Sequence, residues 1–243
     1  MSTTGWIQID NAAGSMWEDW ESAQKFRLDT IQYVQYCLGL APSNQEYSES
    51  TNPIIRAFDV IGFAIRDSCS LSQRKMVYDE MNEFMKQSEQ EQRLRLNNDS
   101  LPSVDEFWSY RLGASAVFIC LAINEYSYGD MDLPTAVFED PDMKEIWQLT
   151  NIIISAVNDM LSLKKEIARD AIDSVIPIMY VQLGSVEAAM DKTVEFVVSM
   201  IQKFDEAEAR LLTRYCSDEN LQKQLWRFVD GAKYYCTGNL IWR

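Results

Sequence analysis

Asn158, Ser162 and Glu166 stand four residues apart. On a helix of 3.6 residues per turn, positions i, i+4 and i+8 drift only a little, so the three side chains share one face, a turn apart. They offer an amide carbonyl, a hydroxyl and a carboxylate, all hard oxygen donors. Such a set suits Mg²⁺, which takes a few protein oxygens and keeps the rest of its octahedron for water and substrate phosphate. Lys165, beside Glu166, is placed to reach the same phosphate as a point charge. The other reading of this spacing is an ordinary amphipathic helix with Asn and Ser on its wet side.

The element that must position these residues is an apolar run with helical spacing from Ile146 to Ala168. The chain around it has 243 residues, 47% of them hydrophobic, enough for one sizeable core. With only 9 Gly and 6 Pro, long periodic segments dominate and a helical protein is expected. Net charge is -15, which disfavours nucleic acid and anionic membrane as partners. It leaves room for an anionic substrate, because bound Mg²⁺ reverses the local field. With no histidine, imidazole bases, Ser-His and Cys-His pairs and His-ligated zinc or haem are excluded. The five cysteines are scattered without a C-x-x-C pair and read as reduced core residues, so an intracellular, cytoplasmic protein is expected. No signal peptide and no run of 18 or more apolar residues marks a membrane span.

Taken in order, Met1 to Ser15 reads as a loop. Trp17 to Leu38 reads as a helix with Trp20, Phe26, Ile31, Val34 and Leu38 on one face. Pro53 suits the start of a second helix, to Cys69. A third runs from Ser72 to about Leu96, its stretch Gln87 to Arg93 expected to be largely solvated. Ser103 and Glu106 form a capping box for a helix to about Tyr126, with Gly113 in its middle at a cost of about 1 kcal/mol against Ala. After a loop from Gly129 to Pro141 comes the helix of Asn158, to about Arg169. Pro177 is expected to interrupt or kink the next segment. Ser185 starts a helix with Met190, Val194, Val197 and Ile201 inward, and a last helix runs from Asp218 to about Trp242. The sum is one all-α domain over residues 1–243, a bundle of roughly eight helices.

The pattern Asn158-Asp159-x-x-Ser162-x-x-x-Glu166, with Lys165 before the Glu, resembles the second metal motif of class I terpene synthases. Tyr110-Arg111, 47 positions before Asn158, and the run Gly231 to Trp242 with Gly238-Asn239-Leu240-Ile241-Trp242 extend the likeness to fungal sesquiterpene cyclases. The resemblance implies an all-α class I terpenoid synthase bundle and Mg²⁺-dependent cyclisation of farnesyl diphosphate, a prenyl diphosphate substrate, with release of diphosphate. It implies Asn158, Ser162 and Glu166 as metal ligands, Arg111 and Lys165 as diphosphate-binding and catalytic residues, and a helix break just after Arg111, which the small residues Gly113-Ala114-Ser115 permit. Trp242 would face the substrate, with Asn239, Phe58 and Phe118 among the pocket-lining residues. Phe63, Trp108, Trp226, Phe228 and Tyr234 are further aromatic candidates whose faces favour cations.

Three features depart from that family. The aspartate-rich motif is reduced to Asp10-Asn11, with Asp10 the one metal-binding carboxylate left. Few residues precede it, and the Arg-Tyr pair expected beyond the Trp is missing. The chain therefore reads as shortened at both ends, with apolar surface that a second copy in a homodimer, repacking or a longer natural protein would cover. The competing reading is a non-catalytic helical relative that binds a prenyl diphosphate or a partner subunit.

Overall fold

A computed structural model describes residues 19–42, 50–97, 101–168 and 174–241. Asp10 and Trp242 lie outside them. The described residues are helical throughout, without a strand among them. They fall into two compact units, Met1–Asn97 and Asn98–Arg243.

The first unit contains α1 (Trp20–Cys37), α2 (Pro53–Arg56), α3 (Asp59–Ser68) and α4 (Leu71–Asn97). Asp19 caps α1 by accepting from the Ser22 N–H at 3.0 Å, and Pro53 opens α2 behind an Asn52 cap. The expected second helix is thus divided in two, at Ala57-Phe58. The buried face of α1 is rotated from the one its aromatics suggested: it runs through Ala23, Arg27, Thr30, Tyr33, Val34 and Cys37. Arg27 is the reason. Its guanidinium donates to Gln92 Oε1 at 2.6 Å and to the Ser88 carbonyl at 3.2 Å, and so stays paired while buried. The stretch Gln87 to Arg93 is correspondingly not all solvated, for Gln92 is fully buried beneath Arg27. Farther along, Tyr33, Cys37 and Ile55 form a small core on which Phe58 packs. Gly62 lets α3 approach it, since a Cβ there would sit 2.6 Å from both Cys37 Cβ and Phe58 Cε1.

The second unit is built around α9 (Pro141–Ile167), 27 residues long. Before it come α5 (Val104–Ala114), α6 (Val117–Ala122), α7 (Asn124–Tyr128) and the short α8 (Thr135–Phe138). After it come α10 (Val175–Leu183), α11 (Val186–Arg214) and α12 (Glu219–Ile241). Helix α9 packs against α5, α6, α8, α10, α11 and α12. Its apolar side, including Met143, Ile146, Leu149 and Ile153, meets Phe204 and Leu211 of α11 and Leu225 and Phe228 of α12 in one continuous core.

Two sequence expectations shift here. Pro177 falls in the first turn of α10, where its missing N–H has no intrahelical partner to lose, so it neither interrupts nor kinks the helix. On α11 the buried track is Ala189, Thr193, Val197, Met200 and Phe204, while Val194 and Ile201 are exposed. Thr193 enters the core because its hydroxyl donates to the Ala189 carbonyl at 2.8 Å.

The segment Val104–Tyr128 has the length and mean hydropathy, 1.2, of a membrane-spanning helix. It is not one helix. Ala116 takes a left-handed conformation, φ 61°, between α5 and α6, and Asn124 and Glu125 are buried polar residues on α7. Their partners lie in this unit: Asn124 Nδ2 donates to the Phe228 carbonyl at 2.9 Å, and Glu125 accepts from the Leu133 N–H at 2.7 Å.

The N-terminal end of α9 is anchored by charge. Asp140 caps it, accepting from the Asp142 N–H at 2.9 Å. Arg214 donates to both Asp140 and Asp142, and Arg210 reaches Asp142 at 2.7 Å and Glu145 at 2.6 Å. Burial works to raise the Asp140 carboxyl, but the Arg214 hydrogen bond and the Asp142 N–H outweigh it and hold the group below its ordinary 3.8. The stability it contributes is therefore present above that value and lost as pH falls through the lower folded one. Arg214→Met should lower the urea midpoint at neutral pH, and the gap to wild type should narrow as Asp140 becomes protonated in acid.

Close packing makes a second prediction. A Cβ on Gly231 would lie 2.7 Å from Asn124 Oδ1 and 2.8 Å from its Nδ2. Gly231→Ala should displace Asn124 from the Phe228 carbonyl and cost about 2 kcal/mol in urea denaturation.

Candidate active site on helix α9

The polar residues of α9 are not on its wet side. Asn151, Ser155, Asp159 and Ser162 have relative exposures of 0%, 1%, 1% and 3%. With Asn158 and Glu166 they occupy a sector of about 100° on the helix wheel. A buried polar stripe in an otherwise apolar helix excludes the ordinary amphipathic reading, because each of these groups needs a partner to offset its desolvation.

Ser162 joins Glu166 in the predicted oxygen line. Its hydroxyl lies 2.5 Å from Glu166 Oε1 and also 2.7 Å from the backbone carbonyl of Asn158, one turn back. One proton serves one acceptor at a time, so the oxygen keeps lone pairs for a cation. Glu166 Oε2 is buried and has no hydrogen-bond partner among the described residues. An unpartnered carboxylate oxygen beside a hydroxyl fits a hard divalent cation. Among the described residues no three His, Cys, Asp or Glu side chains converge on a metal position.

Asp159 takes no part in that line. Its Oδ1 accepts from Arg111 Nη2 at 2.9 Å, and its Oδ2 from the Val175 N–H at 3.0 Å, at the start of α10. The predicted phosphate-binding arginine is thus brought to α9 one residue from Asn158, with its side chain 20% exposed. Lys165 is exposed, seven residues from Asn158 and so about 20° from it around the helix. It pairs with no carboxylate among the described residues.

The expected break after Arg111 is present at Ser115-Ala116, and α9 holds it. Asn151 Nδ2 donates to the Leu112 carbonyl at 2.7 Å, and Asn151 Oδ1 accepts from Ser115 Oγ at 2.7 Å and Ser155 Oγ at 3.1 Å. Leu112 and Ser115 stand where the ladder of α5 ends, so Asn151 satisfies groups the break would orphan. The left-handed conformation of Ala116 costs about 1–2 kcal/mol and is retained because both flanking turns are tied down.

Aromatic rings extend the face. Phe118 stacks on Trp147 with centroids 6.3 Å apart, and Trp147 on the fully buried Phe228 at 6.2 Å. Trp147 lies eleven residues before Asn158, three turns along nearly the same line of α9. Asn239 on α12 donates to the Ile154 carbonyl at 3.2 Å, one turn from Asn158. Nearby, burial pushes the Tyr235 phenol and the Cys236 thiol up to about 12, so neither carries charge at neutral pH. All five cysteines are free thiols, and Cys216 departs from the expected core placement by being exposed.

The other candidates are dispersed. Trp108 packs on Phe107 and Phe196, while Trp226 and Tyr234 are 55% and 65% exposed. Phe58 and Phe63 belong to the first unit, packed against its Tyr33–Cys37–Ile55 core. The sequence reading passed over Asn151 and Ser155, and gave Asp159 a place in the motif but no role. Their own four-residue spacing, repeated within an apolar run, is the signal that marks them. Asn151→Ala should cost about 1–2 kcal/mol in chemical denaturation, by removing the two bonds that tie the break to α9 and leaving the Ser115 hydroxyl and the Leu112 carbonyl only their mutual bond at 2.9 Å.

Comparison with known proteins places this geometry in a family. Residues 12–203 match the family model described as terpene synthase family 2, C-terminal metal binding. The sesquiterpene cyclase hepA of Aspergillus oryzae (strain ATCC 42149 / RIB 40) is 30% identical over 97% of this chain and 65% of its own length. Silphinene synthase peniA of Penicillium patulum is 27% identical over 76% of this chain and 49% of its own. The chain thus spans less than two thirds of the length of these relatives. Among solved structures, germacradien-4-ol synthase from Streptomyces citricolor matches with a TM-score of 0.79 at 18% identity, covering 98% of this chain and 74% of that one. Hedycaryol synthase matches with a TM-score of 0.75 at 16% identity, covering 98% and 73%. At such identities the structural likeness is one of fold, that of the class I terpene synthases expected from the motifs. The family match runs through most of both units, and this chain belongs to the terpene synthase family.

Proposed function

We propose that the chain is the single α domain of a Mg²⁺-dependent sesquiterpene cyclase that ionises farnesyl diphosphate, cyclises the carbocation and releases diphosphate. The observation that carries this reading is the oxygen line of α9, with Glu166 Oε2 buried and unpartnered among the described residues and Arg111 held by Asp159, one residue from Asn158. Asn158, Ser162 and Glu166 hold the cation, and Asp10, outside the described residues, is a further ligand. When bound, Mg²⁺ supplies positive charge against the diphosphate oxygens and makes the group a better leaving group. The relatives' printed names, a sesquiterpene cyclase and a silphinene synthase, support the same class of reaction.

The chain's own residues divide the remaining work. Arg111 offers a planar fork to two diphosphate oxygens, and Lys165 a point charge on the solvent side. As the C1–O bond breaks, its electron pair leaves on the diphosphate and the allylic carbon chain becomes cationic. The rings of Phe118 and Trp147 offer π faces to that charge. Asn239 fixes α12 against the metal helix at Ile154, and Trp242, outside the described residues, is a further candidate to face the substrate. No histidine is present to take the final proton, and the released diphosphate, held by Arg111 and Lys165, is the base at hand.

The test is incubation of the purified chain with farnesyl diphosphate and Mg²⁺, followed by gas chromatography–mass spectrometry of the extract. A cyclic hydrocarbon or alcohol that disappears with EDTA is expected. Glu166→Gln should lower turnover by about 10²-fold or more, the scale of losing one electrostatic stabiliser of the leaving group. Full activity of that variant would remove the metal assignment. Diphosphate binding without product would favour a non-catalytic relative.

A further inference from the structure

Asp159 is the neighbour of a proposed metal ligand, yet both its oxygens are committed elsewhere. Oδ1 accepts from Arg111 Nη2 at 2.9 Å and Oδ2 from the Val175 N–H at 3.0 Å, and the carboxylate side chain is 2% exposed. It lies about 100° around α9 from Asn158, at the edge of the polar sector. A carboxylate this deeply buried needs its partners, and two charge-assisted hydrogen bonds from two different helices supply them.

We infer that Asp159 is a positioning residue for diphosphate recognition: it fixes the Arg111 guanidinium at the C-terminal, cation-binding half of α9. The inference rests on Arg111 and the oxygen line being the diphosphate site. Arg111 is a long side chain at 20% exposure with several rotamers open to it. The bond that Nη2 donates to Asp159 fixes the plane of the fork, so that the guanidinium meets the anion in a single orientation. Ordering the arginine before substrate arrives removes an entropy cost from binding. Asn151 performs the related task for the backbone of the break, while Asp159 acts on the charged group itself.

Calorimetric titration of the full chain with inorganic diphosphate at saturating Mg²⁺ separates the possibilities. Asp159→Asn keeps an oxygen for the Val175 N–H but loses the charge that holds Arg111. It should melt near wild type and bind diphosphate about tenfold more weakly, with a raised KM for farnesyl diphosphate exceeding any change in kcat. Combined with Arg111→Met, it should add no further loss. Val175→Pro removes only the N–H donor, at a first helical position that follows an extended Ser174 and so accepts proline. That variant should melt lower yet bind diphosphate as wild type does. Should Asp159→Asn not fold, Asp159→Glu keeps the charge but moves the carboxylate by one methylene, and it too should weaken binding. Wild-type affinity in folded Asp159→Asn or Asp159→Glu overturns the inference, as does an equal loss in Val175→Pro. Wild-type affinity in Arg111→Met instead overturns the diphosphate site on which it rests.

Discussion

The second unit depends on one constraint: a helix interior that carries charge and amide groups where water cannot reach them. Each buried polar group of α9 must find a partner or forfeit several hydrogen bonds' worth of solvation. The partners come from elsewhere in this unit. Asn151 takes the loose ends of α5, and Asp159 takes Arg111 and the first N–H of α10. The polar stripe thereby decides where the neighbouring helices break and begin. On α9, Glu166 Oε2 and Trp147 Nε1 find no partner among the described residues, and the Glu166 oxygen is the one beside the Ser162 hydroxyl.

Two kinds of strain are supported by this arrangement. Ala116 stands in a conformation that a glycine would adopt at lower cost, and α9 enters the core with acidic residues at its head. The first is held by the Ser115–Asn151 contacts, the second by Arg210 and Arg214 reaching across from α11. The apolar packing between α9, α11 and α12 supplies the bulk of the driving force. The polar contacts select one alignment of those helices from the several that apolar packing alone would tolerate.

Much of this was legible in the sequence wherever a local rule governs. The Ser103–Glu106 capping box forms with both reciprocal bonds, and Pro53 and Ser185 open helices as expected. The oxygen line on α9 was visible from spacing alone. Legibility failed where polar residues go inward. The face of α1 was read correctly at Val34 and Leu38 but missed Arg27, which goes inward and donates to Gln92 at depth. The face of α11 was read correctly at Val197 but missed Thr193 for the same reason. Asn151 was passed over, and Asp159 left without a role, because their partners lie 39 and 48 positions away, beyond any local pattern.

The interleaving of two polar tracks on one helix has an evolutionary consequence. Asn151, Ser155 and Asp159 support the framework, while Asn158, Ser162 and Glu166 are the proposed metal ligands. Both sets are fixed to a single screw of about 100° per residue. A substitution touches one track and leaves the other readable. An insertion or deletion of one residue between Asn151 and Glu166 would turn the downstream track by that angle, pulling Asp159 off Arg111 and swinging Glu166 toward the core. Drift in this stretch is therefore confined to exchanges of side chain at constant length. The helix behaves as a reading frame, and its intolerance of frameshift follows from the geometry of the α-helix itself.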